Sequence, residues 1–245
     1  MLTGNRNNAL IINADLGEGS PFEDKLYPLL DAASIACGGH VGDKTSMEFA
    51  VSQCLTHQVM IGAHPSYPDP QHFGRRSLSI EPKTLTHSLL QQLCALEKVC
   101  RKFGAVIEYI KPHGALYHDL STHPSVFDAF VDAVKQFTES DAPALMLMAG
   151  SKGATNAKAL GYPVMEEAFL DRRYQSATAL CQRSLPGALL THTQALTQYE
   201  QLQFDGTITL LDKNTVPLIC DTLCVHGDNP DSLTLLTELT RRRPL

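Results

Sequence analysis

Short apolar runs alternate with longer amphipathic segments along most of this chain. Seven runs read as strands, at residues 9–14, 33–37, 59–63, 106–111, 144–149, 163–168 and 222–226. Between them, residues 45–58 place Met47, Ala50, Val51, Cys54 and Leu55 on one helical face. Glu81 and Pro82 open a second helix, whose stripe of Leu85, Leu89, Leu93, Leu96, Val99 and Phe103 stops at Gly104. His123 and Pro124 open a third, with Val126, Phe127, Phe130, Val134 and Phe137 facing inward. Strand and helix in repeated order predict a parallel sheet.

Five of these strands end in, or run directly into, a titratable residue: INAD at Asp15, IACGGH at His40, IGAH at His64, IKPH at His113 and LCVH at His226. A buried apolar strand has no packing need for such a residue at its carboxyl end. Repetition over successive strands therefore predicts one shared polar site, and with it an enzyme. An open doubly wound sheet gathers ligand groups at one switch point, whereas a closed barrel brings every strand's carboxyl end to one mouth. The expected fold is α/β, a single irregular (β/α) barrel of about seven parallel strands spanning residues 1–245. Residues 170–187, rich in Arg, Gln and Ser and without a clear period, read as an active-site lid or as a surface insertion.

Composition fits that picture. A chain of 245 residues with 43% hydrophobic content can bury one sizeable core, and no Pro/Gly/Ser-rich linker divides it. Lys plus Arg number 20 against 26 Asp plus Glu, a net charge of -6, and the one basic run is Arg241 to Arg243, which argues against nucleic acid as a partner. The apolar runs are too short for a signal peptide or a bilayer span, so a cytoplasmic protein without membrane association is expected. Cys37, Cys54, Cys94, Cys100, Cys181, Cys220 and Cys224 are scattered with no CxxC pair, which disfavours disulfides and a structural zinc site.

Each polar constellation has a chemical and a structural reading. NADLGE clusters Asn13, Asp15 and Glu18 where the first strand ends, as a general base, a metal ligand or a turn. IACGGHVGDKTS loops through Gly38, Gly39 and Gly42 into a helix capped by Asp43 or Thr45, whose amides could hold an anion. IGAHPSYPDPQHFGRR offers His64, Tyr67, Asp69, His72, Arg75 and Arg76, and its arginines suit a substrate carboxylate or a plain exposed loop. KPHGALYHD carries Lys111, His113, Tyr117, His118 and Asp119. EEAFLDRRY carries Glu166, Glu167, Asp171, Arg172 and Tyr174, and VHGDNP carries His226, Asp228 and Asn229, where Asp228 to Pro230 equally starts the final helix.

Taken in order, NADLGE, IACGGHVGD, IGAHPSYPD with FGRR, IKPHGALY, EEAFLDRRY and DTLCVHGDNP resemble the signatures of the LamB/YcsF family, from about residue 10 to residue 230. Ala14, Gly39 and Ser66 stand where that family usually has Cys, Phe and Gly. The resemblance implies a distorted barrel of the glycoside hydrolase/deacetylase type. It also implies the role of the A component of a 5-oxoprolinase, with ATP-dependent opening of 5-oxo-L-proline to L-glutamate performed together with partner subunits B and C. The chain has no GxxxxGK[ST], and Gly150-Ser151-Lys152-Gly153 is a poor imitation, so ATP handling is expected to fall largely on the partners.

Under that resemblance the catalytic set is Asp15, His40, His64, Lys111 and His113, and the substrate-binding set is Asn13, Glu18, Gly39, Asp43, Arg75, Glu167 and Arg172. Asp15, or a histidine it orients, would activate water; one of His40, His64 and His113 would protonate the ring nitrogen; Lys111 would stabilise charge on oxygen; Arg75 or Arg172 would hold the carboxylate. His226 with Asp228 is expected to be peripheral or structural. Two other readings stay open at this point. One is a metal-dependent amide hydrolase built on Asp15, His40, His64 and His113; the other is a non-catalytic subunit that binds a small acid.

Overall fold

The computed structural model describes residues 9–138, 142–227 and 231–242, so the expected helix start at Asp228, Asn229 and Pro230 lies outside the described residues, as does Arg243. The strands are β1 (Ile11–Leu16), β2 (Ala32–Ala36), β3 (Met60–His64), β4 (Tyr109–Ile110), β5 (Ala144–Met148), β6 (Val164–Phe169), β7 (Tyr174–Ser176), β8 (Ala179–Leu180), β9 (Thr207–Thr209), β10 (Thr215–Pro217) and β11 (Thr222–Cys224). Seven of them form a closed parallel barrel in the order β1-β11-β6-β5-β4-β3-β2. First and last strands close the ring, with Ile11 opposite Thr222 and Asn13 opposite Cys224.

Parity along each strand decides what faces the lumen. On β1, Ile12, Ala14 and Leu16 join the large apolar layer beneath the helices, while Asn13 and Asp15 alternate inward and bond to groups on other strands. The same alternation sends Gly62 and His64, Tyr109 and Lys111, and Glu167 and Phe169 to the barrel axis. Tyr109 fills the lower lumen, its hydroxyl 3.1 Å from Ser34 Oγ. It fits because residue 62 is glycine: a Cβ there would lie 2.2 Å from the tyrosine ring.

The outer layer holds α1 (Glu23–Leu26), α2 (Lys44–His57), α3 (Pro82–Phe103), α4 (Gly114–Thr122), α5 (Pro124–Phe137), α6 (Lys152–Ala159), α7 (His192–Glu200) and α8 (Asp231–Arg242). Helix α3 starts at Pro82 behind a Glu81 cap and ends at Gly104 in the left-handed conformation, as its sequence predicts. Its Leu85, Leu89, Leu93 and Leu96 are wholly buried, each burial stabilising by roughly 1.5–3 kcal/mol. Three expected positions differ. Leu55 is 46% exposed, because the buried spacing Met47, Ala50, Val51, Cys54 leaves it about one residue's rotation off the inward face. Phe103, in the last turn of α3, turns outward under Lys102, whose Nζ lies 5.3 Å from the ring. Val106 is 69% exposed, and the fourth strand begins only at Tyr109.

Between β6 and β11 the chain leaves the barrel. β7 and β8 pair as one hairpin, β9 and β10 as another. Buried Tyr174 ties the first to the barrel, its hydroxyl accepting from the Phe169 amide at 2.8 Å. The stretch expected to be a lid or an insertion is thus anchored through Leu170, Asp171, Tyr174 and Cys181, while residues 182–187 are exposed, and Arg172, Leu180 and Arg183 line the site.

Candidate active site

At the carboxyl end of the barrel lies a cavity of about 410 Å³, whose walls include Asp15, Glu18, His64, Lys111, His113, Phe169, Arg172 and His226. Lys111 is its floor. The Nζ atom lies 2.8 Å from Asp15 Oδ1, 3.2 Å from Asn13 Oδ1 and 3.2 Å from Cys224 Sγ. It also lies 2.8 Å from Glu167 Oε1, an ion pair rather than an aligned hydrogen bond. Burial alone would lower the lysine's pKa, but Asp15, Cys224 and Glu167 outweigh it and hold the ammonium well above its usual range. Burial likewise pushes Asp15 up, yet the charges of His64 and Lys111 prevail and keep its carboxyl well below the usual value. The pair is therefore ionic, with two fixed opposite charges at the base of the cavity.

Beside it stand three histidines. His40 and His113 are stacked, their centroids 3.6 Å apart, and His64 meets His113 edge-on at 4.8 Å. His64 Nδ1 donates to the Lys111 carbonyl at 2.7 Å, and His113 Nε2 donates to the Phe73 carbonyl at 2.9 Å, since a carbonyl oxygen can only accept. The opposing nitrogens, His64 Nε2 and His113 Nδ1, face each other at 2.9 Å. Burial, then the neighbouring His64, lowers His40 to about 3 and His113 to about 3, so both of these rings are neutral. Gly74 makes the close packing possible: with φ of 62°, it would carry a Cβ 3.0 Å from His113 Cδ2 and 3.1 Å from His40 Cβ.

Glu18 reaches all three rings through Oε1, at 2.9 Å from His40, 3.3 Å from His113 and 3.9 Å from His64. Desolvation and then the Asp15 charge raise its pKa above the usual carboxylate value. Its loop is held by Glu23, which accepts from the backbone N–H groups of Gly17, Glu18 and Gly19. Glu23 escaped the sequence reading; a buried acid shortly after NADLGE was the available signal.

The opposite wall is basic and aromatic. Arg172, 9% exposed, donates to the Cys181 carbonyl at 2.8 Å, and Arg183, His118 and Phe169 also line the cavity, whereas Arg75 stands on the histidine side, its guanidinium 5.1 Å from the Phe73 ring that packs against His40 and His113. His226 corrects the expectation of a peripheral residue: it lines the cavity, its Nδ1 2.8 Å from Asp171 Oδ1. Burial opposes protonation of His226, but Asp171 overcomes it and raises the pKa.

Several expected residues stand elsewhere. Asp43 lies apart from the cavity and caps α2, accepting from the Ser46 amide at 2.9 Å. Asn13 and Glu167 are wholly buried beneath the cavity rather than in its wall; Asn13 donates to Thr222 and Glu167 accepts from Tyr117 at 2.7 Å. Both contact Lys111 Nζ. His40 backs His113 from behind. Gly39 is packed inside: a Cβ there would lie 2.3 Å from Ser66 Oγ and 2.4 Å from Gln92 Oε1, so two departures from the family pattern, Gly39 and Ser66, meet in space.

A closed parallel barrel with an acid–base cluster in its carboxyl mouth defines an enzyme of the (β/α)-barrel class. The chain belongs to the LamB/YcsF family, whose model matches residues 10–243. A protein of Vibrio cholerae serotype O1 named as the A component of 5-oxoprolinase is 40% identical over 237 residues, covering 93% of this chain and 95% of the relative. A Haemophilus influenzae protein of the same name is 38% identical over 223 residues, covering 91% and 90%. The crystal structure of a lactam utilization protein from Thermus thermophilus superposes with a TM-score of 0.87 at 31% identity, covering 96% of this chain and 97% of that one.

Proposed function

We propose that this chain is the A component of a 5-oxoprolinase, opening the lactam ring of 5-oxo-L-proline to L-glutamate in a complex with subunits B and C that consumes ATP. One observation carries the reading: a single cavity opposes a buried proton-transfer cluster to an arginine-bearing wall. That is the polarity of a small cyclic amide bearing a carboxylate. Arg172, fixed by its bond to Cys181, receives the carboxylate. Lys111, permanently charged, faces the oxygen on which negative charge develops.

Asp15 spends Oδ1 on Lys111 and turns Oδ2 to His64 at 3.3 Å, so it anchors charge. Glu18 is the carboxylate placed to accept a proton from water. The water oxygen bonds to the lactam carbon, the carbon–nitrogen bond breaks, and the histidine cluster returns the proton to the departing nitrogen. ATP fits the partners better than this chain. Gly150-Ser151-Lys152-Gly153 lacks phosphate-loop spacing, and Ser151 Oγ accepts from the Ala154 amide as the cap of α6. Seven free thiols suit a cytoplasmic setting, and no described helix is long and apolar enough to cross a membrane.

The test is glutamate release from 5-oxoproline and ATP by this chain alone and by the chain with both partners. The reading expects turnover only in the complex and a loss of roughly 100-fold or more in Glu18→Gln and Asp15→Asn. Full activity in both variants refutes the assignment of roles; a complex that releases no glutamate refutes the function.

A further inference from the structure

His64 Nε2 and His113 Nδ1 face each other at 2.9 Å, an approach that needs a proton or a cation between them. His64 has committed its Nδ1 proton to the Lys111 carbonyl and His113 its Nε2 proton to the Phe73 carbonyl. Each therefore turns its remaining nitrogen toward the other, and Asp15 Oδ2 lies 3.3 Å from the His64 member. Outer N–H groups tied to backbone carbonyls are the arrangement that orients imidazoles toward a metal. The donor atoms of Asp15, His64 and His113 all lie within 4.8 Å of one another. Neighbouring ligands at bonds of about 2.1 Å stand roughly 3.0–3.4 Å apart, close to the two separations that His64 Nε2 makes, 3.3 Å to Asp15 and 2.9 Å to His113.

Charge points the same way. On the histidine side, Asp15, Glu18 and Glu167 bring three carboxylates against the buried ammonium of Lys111 and the exposed Arg75 that faces Glu18 from the rim, while the guanidinium groups of Arg172 and Arg183 line another part of the cavity. We propose that Asp15 Oδ2, His64 Nε2 and His113 Nδ1 form a binding site for a divalent first-row transition ion such as Zn²⁺ or Mn²⁺, open to the cavity on its fourth side. Two imidazoles with one carboxylate suit that class of cation, and three protein ligands leave room for a water. Glu18, 3.3 Å from His113, stands beside that water as its proton acceptor. The site goes beyond the lactam reading and does not depend on it.

The experiment is isothermal titration of the purified, chelator-stripped chain with ZnCl₂ and with MnCl₂, without substrate or partners. The expected result is one equivalent bound with a Kd below about 1 µM for the preferred ion, weakened roughly 100-fold or more in Asp15→Asn and in His113→Ala. His72→Ala, which removes a ring paired with Asp69 outside the cavity, should bind as the unaltered chain does. Circular dichroism checks that each variant is folded. Should His113→Ala not fold, the visible spectrum of Co²⁺ bound to the unaltered chain replaces it, with tetrahedral bands expected. Absence of binding to the folded chain, equal binding by the variants, or a purely aqueous Co²⁺ spectrum overturns the site and leaves a shared proton between the two rings. Stoichiometric binding without glutamate release by the complex upholds the site and removes the lactam reading; glutamate release by a chain that binds no cation does the reverse.

Discussion

Replacing Lys111 by Met tests whether the floor of the cavity is held by charge. The side chain keeps its length and packing, but Asp15 and Glu167 lose a cation that lies 2.8 Å from each. At an effective dielectric of ~20, each contact is worth about 6 kcal/mol of Coulomb attraction, opposed by the cost of desolvating three ions. Removing one partner of such a buried group costs about 3–5 kcal/mol net. For a chain of this size the melting temperature should fall by about 6–20 °C. The sign of the pH dependence follows. Carboxylates left buried without their ammonium bind protons more readily folded than unfolded, so the variant's deficit should shrink as pH falls from 8 toward 5. Thermal denaturation followed by circular dichroism at both pH values reads this directly. Adding Glu167→Gln should restore much of the loss. A Lys111→Met chain that melts within a degree or so of the unaltered protein, or whose deficit is the same at both pH values, refutes the reasoning.

Three other outcomes follow from named contacts. Arg172→Ala should raise KM for 5-oxoproline about 10- to 100-fold with a smaller change in kcat, as loss of a charge-assisted clamp does, measured by steady-state glutamate release. His226 should titrate above 6.5 by NMR of its ring protons, and Asp171→Asn should bring it down; because the folded value is raised, the stability it contributes is present at acidic pH and lost as pH rises through that value. Gly39→Ala should destabilise the fold by about 1–3 kcal/mol in urea denaturation, and Gly39→Ala with Ser66→Gly should recover part of this, because the added Cβ meets Ser66 Oγ first.

Alternating apolar and amphipathic segments disclosed the barrel, its strand count and the histidines at its mouth, because burial and parity are local properties. Asp15, His64, Lys111 and His113 were legible for the same reason: each stands at or just beyond the carboxyl end of a strand. What surrounds them was not. Cys224 and Glu167 reach Lys111 across the barrel axis, and no pattern within one segment records which distant residue faces another. Asp43 and Gly39 illustrate the reverse error, since a cap and a packing glycine carry the same letters as an anion-binding loop. Strand parity held one unused signal: in LCVH, Cys224 and His226 share a face, which places His226 at the mouth.

Closure of the barrel by its first and last strands has a consequence for synthesis. Asn13 and Asp15 are translated well before Thr222 and Cys224, which complete their surroundings. At roughly 5–20 residues per second, about 10–40 s separate the translation of Asn13 from that of Cys224. Throughout that interval β1 has no neighbour on one edge and the Lys111 ammonium lacks part of its cage. The barrel cannot close, nor the floor of the cavity assemble, until that last strand has been made.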